Sequence, residues 1–427
     1  MSASSTEEIL YIQGARPLRG EVEIQGSKNA ALPMIAASLL AEEGETVLHR
    51  VPPVKDVLVA LEVLRELGAK VDFDAATGTA VIDATQVNSA VIPGELAGRM
   101  RASLLFVGAL LARFQLARID EVGGCTIGER NTDYHYRGFV RMGATVEATS
   151  SGGYEVATTS LRAADMYCDL PSHTGTENLI MAASLTEGVS SIANAASDPE
   201  ICDFACLLTK MGAKVRGVGT RMVTISGVPK LHGAEHTVMY DRLDAALMLM
   251  AGAITGGEIA LKGVRLDHLE ICEAKLLQMG AELSRSDDEW VRLKGPEKLS
   301  PINVVTTYYP GFPTDLQPGI TALACVAHGD SYIRETVFED RLGHVKNLRA
   351  FGATLSPEKD RLVIVHGPAR LRGARVQASD IRAGAACVLA GLAAEGRSAV
   401  SKLYQLDRGH VRLAERLGEL GAGIERL

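Results

Sequence analysis

The sequence predicts an α/β protein of two similar lobes, each built from three repeats with buried helices, and two patterns carry that prediction. The first is a short motif, an apolar residue followed by Gly-Ala, that returns six times: Leu67-Gly68-Ala69, Met142-Gly143-Ala144, Met211-Gly212-Ala213, Met279-Gly280-Ala281, Phe351-Gly352-Ala353 and Leu420-Gly421-Ala422. The glycines lie 75, 69, 68, 72 and 69 residues apart, and self-similarity at a near-fixed period marks internal repetition. The second is a set of six segments rich in Ala and Leu: 30–40, 101–111, 176–185, 244–254, 317–327 and 381–392. Each is apolar nearly all round, as a helix inside a core must be.

Within a repeat the elements follow from local chemistry. The apolar segments predict inner helices. Most run out through Glu-Gly or Gly-Gly, as at Glu43-Gly44, Glu187-Gly188, Gly256-Gly257 and Glu395-Gly396, into a strand. Amphipathic stretches such as 57–67 and 202–211 predict outer helices. The glycine that follows each predicts a C-cap in the left-handed conformation. Strands such as 214–215 and 362–365 come next. Six such units divide into two groups of three, with a boundary near 239–243 and no Pro/Ser-rich linker. The expected lobes are 27–239 and 1–26 plus 240–427. A cleft between two similar lobes is a usual place for a ligand.

Composition narrows the function. A formal charge of −8 argues against general binding to nucleic acid or anionic membrane, so any anion site must be a local basic pocket. Seven cysteines, with no CxxC pair, argue against a disulfide scaffold or structural zinc and for a reducing cytoplasm. The first ten residues, MSASSTEEIL, carry no signal-peptide pattern, and no apolar run is long enough to span a membrane. Dinucleotide, P-loop, serine-elbow and zincin motifs are all missing from the sequence.

What remains is a distributed set of cations, one carboxylate and one thiol. Lys28 lies between the predicted strand 21–24 and the first inner helix. Arg101 and Arg382 open the second and sixth. Arg341 and Arg408 follow Asp340 and Asp407. Cations near helix N-termini favour an anion there, and an unpaired charge within an apolar segment would be costly. Taken one at a time, each reads first as an ordinary surface cation. Asp315, fixed in a turn by Pro310, Gly311 and Pro313, reads either as a helix N-cap or as a general base. The loop Gly123-Gly124-Cys125-Thr126-Ile127-Gly128-Glu129-Arg130 places a thiol beside a fixed cation, which lowers a thiol's pKa where the two meet. Its alternative is a surface turn with an inert cysteine.

These stretches resemble the enolpyruvyl transferases. The resemblance rests on Gly-Ser-Lys-Asn-Ala-Ala-Leu-Pro (26–33), Met-Arg-Ala-Ser (100–103), the cysteine loop (123–130), Phe-Pro-Thr-Asp-Leu-Gln (312–317), Glu-Thr-Val-Phe-Glu-Asp-Arg (335–341) and Asp-Arg-Gly (407–409). These occur in family order and span about residues 9–427. It implies an inside-out α/β barrel in each lobe, with three βαβαββ units and helices inside. It implies transfer of the enolpyruvyl group of phosphoenolpyruvate to the 3-hydroxyl of UDP-N-acetylglucosamine with release of phosphate, an early step of peptidoglycan synthesis needing no metal or organic cofactor. The roles it implies are Asp315 as base toward the hydroxyl and Cys125 as acid toward the methylene. Lys28, Arg130 and Arg408 hold the phosphate, and Arg341 and Arg382 the carboxylate, with Arg101 completing the pocket. Asn29, Asp133, Ser172 and Val337 join the substrate-binding set.

Three segments depart from the family pattern: Asn131-Thr132-Asp133-Tyr134-His135, Ser172-His173-Thr174-Gly175-Thr176, and Asp241-Arg242-Leu243-Asp244-Ala245-Ala246-Leu247. The first two belong to the family's nucleotide side, so the phosphoenolpyruvate side is intact and the acceptor side altered. Two alternatives therefore stay open: a different acceptor such as another nucleotide, or a paralogue that binds without turnover.

Overall fold

A computed structural model describes residues 8–120, 133–150, 152–286 and 290–427. The six inner helices are α1 (Lys28–Ala37), α2 (Leu105–Phe114), α3 (His173–Ser184), α4 (Arg242–Ile254), α5 (Gln317–Val326) and α6 (Ile381–Ala393). All follow from the apolar segments read in the sequence. In α4 every residue is buried, Arg242 and Asp244 included. The second segment begins one turn later than its apolar run, because Arg101–Leu104 forms a 3₁₀ turn before α2.

The Gly-Ala motif has one structural explanation at all six sites. Each glycine has φ between 84° and 104°, a region that side chains rarely adopt. The alanine N–H then bonds back to the carbonyl five residues earlier, as from Ala69 to Leu64 and from Ala213 to Leu208. This is the Schellman closure of a helix, and it caps carbonyls that would otherwise lack a partner.

Each repeat ends in a four-stranded sheet of one topology. An edge strand runs parallel to the second strand, and the third and fourth are antiparallel. In the first repeat the order is Glu235–Thr237, Thr46–His49, Thr79–Asp83 and Lys70–Asp74. In the last it is Arg375–Gln377, Arg397–Ser401, Leu10–Gln13 and Gly423–Arg426, so the beginning of the chain completes the final repeat.

The contacts divide the described residues into two units, 8–25 with 240–427 and 26–120 with 133–239. In the second unit, α2 and α3 touch backbone to backbone. A Cβ on Gly108 would lie 2.2 Å from the carbonyl oxygen of Asn178. Asn178 is fully buried, and its amide donates to the Leu104 carbonyl at 2.8 Å and accepts from Gly108 N at 2.6 Å. A buried amide is tolerated here because both its ends are bonded. In the first unit, α4, α5 and α6 share a core with the sheets around them.

Candidate active site

In the first unit three predicted residues converge. Asp315 lies on the 3₁₀ turn Thr314–Leu316 that leads into α5, where the cap positions of the turn and of the helix are Pro313 and Leu316. Its carboxylate faces two arginines instead. Oδ1 accepts from Arg341 Nη2 at 2.6 Å, and Oδ2 accepts from Arg382 Nη2 at 2.8 Å and Nε at 3.1 Å. Both guanidinium groups are almost fully enclosed, whereas the Asp315 side chain is 29 % exposed. Burial works against the charge on Arg382, but Asp315 and Asp241 outweigh it and raise its pKa.

The framework around this trio is one residue that sequence reasoning did not single out. Glu335 is fully buried at the end of the strand Asp330–Arg334. Its carboxylate accepts from Thr306 Oγ1 at 2.8 Å, Thr314 Oγ1 at 2.9 Å, Val337 N at 2.7 Å and Phe338 N at 3.2 Å. It therefore ties the turn that carries Asp315 to the loop that carries Val337 and Arg341. The only sequence signal was its place in the 335–341 motif. Arg382 is fixed from below, since Asp380 caps α6 through Arg382 N and Ala383 N. Arg408, 6 % exposed, closes the short helix Tyr404–Asp407. Gln25 holds the segment after it by two bonds, from its amide to the Gly409 carbonyl at 3.1 Å and to its amide oxygen from Val411 N at 2.7 Å. A small pocket in the same unit is lined by Arg242, Cys272, Tyr309 and Pro310 among others, with none of the predicted site residues in its wall.

In the second unit Lys28 is the first residue of α1, buried and 3.2 Å from Asp56 at the start of the next helix. Asn29 follows it, half-buried. Arg101 opens the 3₁₀ turn before α2, and burial lowers its pKa. Its charge acts on His135, whose pKa burial and then Arg101 push down to about 4. Asn178 Nδ2 lies 2.8 Å from His135 Nδ1. Since that amide nitrogen only donates, the neutral imidazole carries its proton on Nε2. Ser172 caps α3, accepting from Gly175 N at 3.1 Å. Asp133 starts the helix Asp133–Arg141. Cys125 and Arg130 lie outside the described residues, so the structure places neither.

The comparisons with known proteins bear on the whole chain. The sequence signature of the family described as EPSP synthase (3-phosphoshikimate 1-carboxyvinyltransferase) matches residues 12–417. UDP-N-acetylglucosamine 1-carboxyvinyltransferase from Thermobifida fusca is 47% identical over 98% of this chain and 99% of its own. The chain belongs to this enolpyruvyl transferase family. A relative named UDP-N-acetylglucosamine 1-carboxyvinyltransferase 1, from Halalkalibacterium halodurans, is 44% identical over 98% of this chain and 94% of its own. Among solved structures, the enolpyruvyl transferase NikO from Streptomyces tendae is 26% identical, with a TM-score of 0.88 over 98% of this chain and 99% of that one. The EPSP synthase of Acinetobacter baumannii, at 19% identity and a TM-score of 0.75 over 99% of this chain and 100% of its own, shares the fold.

The departures from the family pattern have structure of their own. His173, the first residue of α3, has Nδ1 3.4 Å from Glu177 and Nε2 4.0 Å from Glu200. One donor atom each from His173, Asp198 and Glu200 lie within 4.8 Å of one another, a spacing a cation could use. Burial pushes the His173 pKa down, but Glu177, Asp198 and Glu200 outweigh it and carry it up to about 10. Burial raises the Glu177 pKa as well. In the first unit, Asp244 is buried in a bidentate pair with Arg416, at 2.5 and 2.8 Å, with His410 Nδ1 at 3.3 Å. No helix among the described residues is long and apolar enough to cross a membrane.

Proposed function

We propose that this protein transfers the enolpyruvyl group of phosphoenolpyruvate to the 3-hydroxyl of UDP-N-acetylglucosamine in the cytoplasm, as a step of peptidoglycan synthesis. The observation that carries the reading is the arginine pair Arg341–Arg382 gathered on Asp315, a carboxylate site beside a candidate base. The names of the relatives at 47% and 44% identity over nearly the whole chain support the acceptor.

In this reading Asp315 takes the proton of the acceptor hydroxyl as its oxygen attacks C2 of phosphoenolpyruvate, and Cys125 gives a proton to the methylene carbon. The methyl group so formed then returns a proton as the bond from C2 to the phosphate oxygen breaks. The double bond is restored and phosphate leaves. Arg341 and Arg382 hold the substrate carboxylate. Lys28, Arg130 and Arg408 hold the phosphate and stabilise the charge that collects on it, with Arg101 beside them. Asn29, Asp133, Ser172 and Val337 position the acceptor.

The carboxylates around His173 favour a second reading, the same chemistry on a different nucleotide acceptor, because the altered 172–176 segment lies on the side that binds it. The test is phosphate release from phosphoenolpyruvate with UDP-N-acetylglucosamine and, separately, with UMP. Release that depends on UDP-N-acetylglucosamine supports the first reading. Release with UMP alone supports the second, and release with neither overturns the first and means that the altered segments have changed the acceptor or ended catalysis.

A further inference from the structure

The pairing of Asp315 with Arg341 and Arg382 poses a chemical problem for that reading. The base is engaged by the two cations that the substrate's carboxylate needs. Three charge-assisted hydrogen bonds take three of the roughly four lone-pair positions on its two oxygens, and each one ties up electron density that a base must offer to a proton.

We propose that Asp315 and the carboxylate of phosphoenolpyruvate compete for the same arginine pair, so that substrate binding is the event that frees Asp315 to act as base. The inference rests on the function proposed above and adds to it a reason why the donor substrate must carry a carboxylate.

Three features of the geometry support the exchange. The first is that Arg382 directs both Nε and Nη2 at a single oxygen, Oδ2, whereas a guanidinium edge is best matched by two oxygens, one per N–H. A free carboxylate can supply that match. The second is Arg341, whose Nε is buried and makes no hydrogen bond among the described residues, leaving a donor that Asp315 does not satisfy. A buried donor without a partner in a charged group marks a place for another acceptor. The third is accessibility. Asp315 is the exposed member of the trio, at 29 %, while the side chains of Arg341 and Arg382 are 4 % and 11 % exposed. Solvent reaches the Asp315 carboxylate, while Glu335 and Asp380 keep the loop and the helix start in place.

The exchange also conserves charge. Two enclosed guanidinium groups without an anion would be costly. Asp315 serves as their resting counterion, and the substrate replaces one carboxylate by another. A ligand whose only anionic group is held by Lys28, Arg130 and Arg408 leaves Asp315 on the arginine pair.

The test is the affinity of Asp315→Asn for phosphoenolpyruvate and for inorganic phosphate, by calorimetry. Removing the competitor is expected to tighten phosphoenolpyruvate about tenfold, within the usual range of coupling between ligands, while turnover is lost. Inorganic phosphate is expected to change less than about twofold. Unchanged or weaker phosphoenolpyruvate binding overturns the exchange, and so does equal tightening of both ligands, which would mark a general loss of negative charge. A second measurement uses the unaltered protein, so a folding failure of the variant does not decide the matter. In isotope-edited infrared difference spectra with labelled aspartate, phosphoenolpyruvate should shift one carboxylate band and inorganic phosphate should not. No shift with phosphoenolpyruvate overturns the exchange. If the unaltered protein binds no phosphoenolpyruvate at all, the proposed function fails instead.

Discussion

Replacing Asp244 by Asn tests how far the first unit depends on a single buried charge. Asp244 is 1 % exposed and accepts two bonds from Arg416, at 2.5 and 2.8 Å, and one from His410 at 3.3 Å. Asn keeps the shape and one oxygen but removes the charge, which leaves the Arg416 guanidinium enclosed without its counterion. Breaking a buried pair from one side costs about 3–5 kcal/mol, and the retained oxygen puts this variant near 3 kcal/mol on the same scale, or roughly 6–12 °C in the melting transition of a unit of this size. The pH dependence has a defined sign. Burial alone would raise the Asp244 pKa, but Arg416 and His410 outweigh it and hold the carboxyl well below the usual carboxylate range. A folded value below the unfolded one means the stability is present above the ordinary carboxylate value, about 4, and is lost as pH falls through the folded value. The gap between native and variant, measured by circular dichroism melts, should therefore be flat from neutral pH down to about 4 and shrink below it. A gap of less than about 2 °C at neutral pH would refute the account, since it would mean the pair is effectively solvated.

Four further outcomes follow from the same geometry. The folded His173 pKa, about 10, lies above the ordinary value of 6.5, so its contribution is complete below pH 6.5 and is lost as pH rises through 10; the melting difference between native protein and His173→Gln should narrow over that interval, and a constant difference would be inconsistent with it. Gly108→Ala should destabilise the second unit by about 3 kcal/mol, because the new methyl meets a backbone carbonyl at 2.2 Å; chemical denaturation measures it, and a neutral effect would mean that α2 and α3 can move apart. Lys28→Ala should abolish phosphate release and also lower the melting temperature, because Asp56, 3.2 Å away and buried, loses its ion pair; unchanged turnover would remove Lys28 from the site. Cys125→Ser should lose turnover while keeping nucleotide-sugar binding by calorimetry, and full activity would remove the thiol from the mechanism.

The fold was legible because it repeats. One Leu-Gly-Ala says little, but six of them specify the same left-handed cap and the same closing bond from the alanine N–H. The apolar segments were equally plain, since a helix buried on every side can carry few other residues. The convergence of Asp315, Arg341 and Arg382 was less legible. Each was visible as a charge in an unusual place, but the ion pairs join residues 26 and 67 positions apart, and no local pattern encodes such a distance. Glu335 was illegible for a different reason. A glutamate after a strand reads as a solvated surface residue, and only the four bonds it accepts distinguish it. Asp315 as an N-cap, the ordinary expectation for an aspartate before a helix, gives way because Arg341 and Arg382 offer stronger, charged donors than the backbone N–H groups of α5.

The distribution of the site residues follows from the burial of the inner helices. A helix apolar over its whole length has no face on which a charged group can meet water, so polar chemistry is confined to its ends. The N-terminal ends are the favourable ones, because their unbonded N–H groups attract anions. Lys28 is the first residue of α1, Arg382 the second of α6, Ser172 the cap of α3, and Arg101 and Asp315 occupy the 3₁₀ turns that precede α2 and α5. The fourth inner helix follows the same rule with a different outcome. Its first turn carries Arg242 and Asp244, and Asp244 is consumed by Arg416 and His410. The same position in the repeat thus serves stability in one copy and proposed chemistry in the others. Six repeats with one buried inner helix each supply six such ends, and the reaction proposed here needs several fixed cations for an anionic substrate. Duplication of the unit would have multiplied candidate anion sites before any of them was specialised, which accounts for Lys28, Arg101, Ser172, Asp315 and Arg382 being scattered through the sequence yet lying at equivalent places in their repeats.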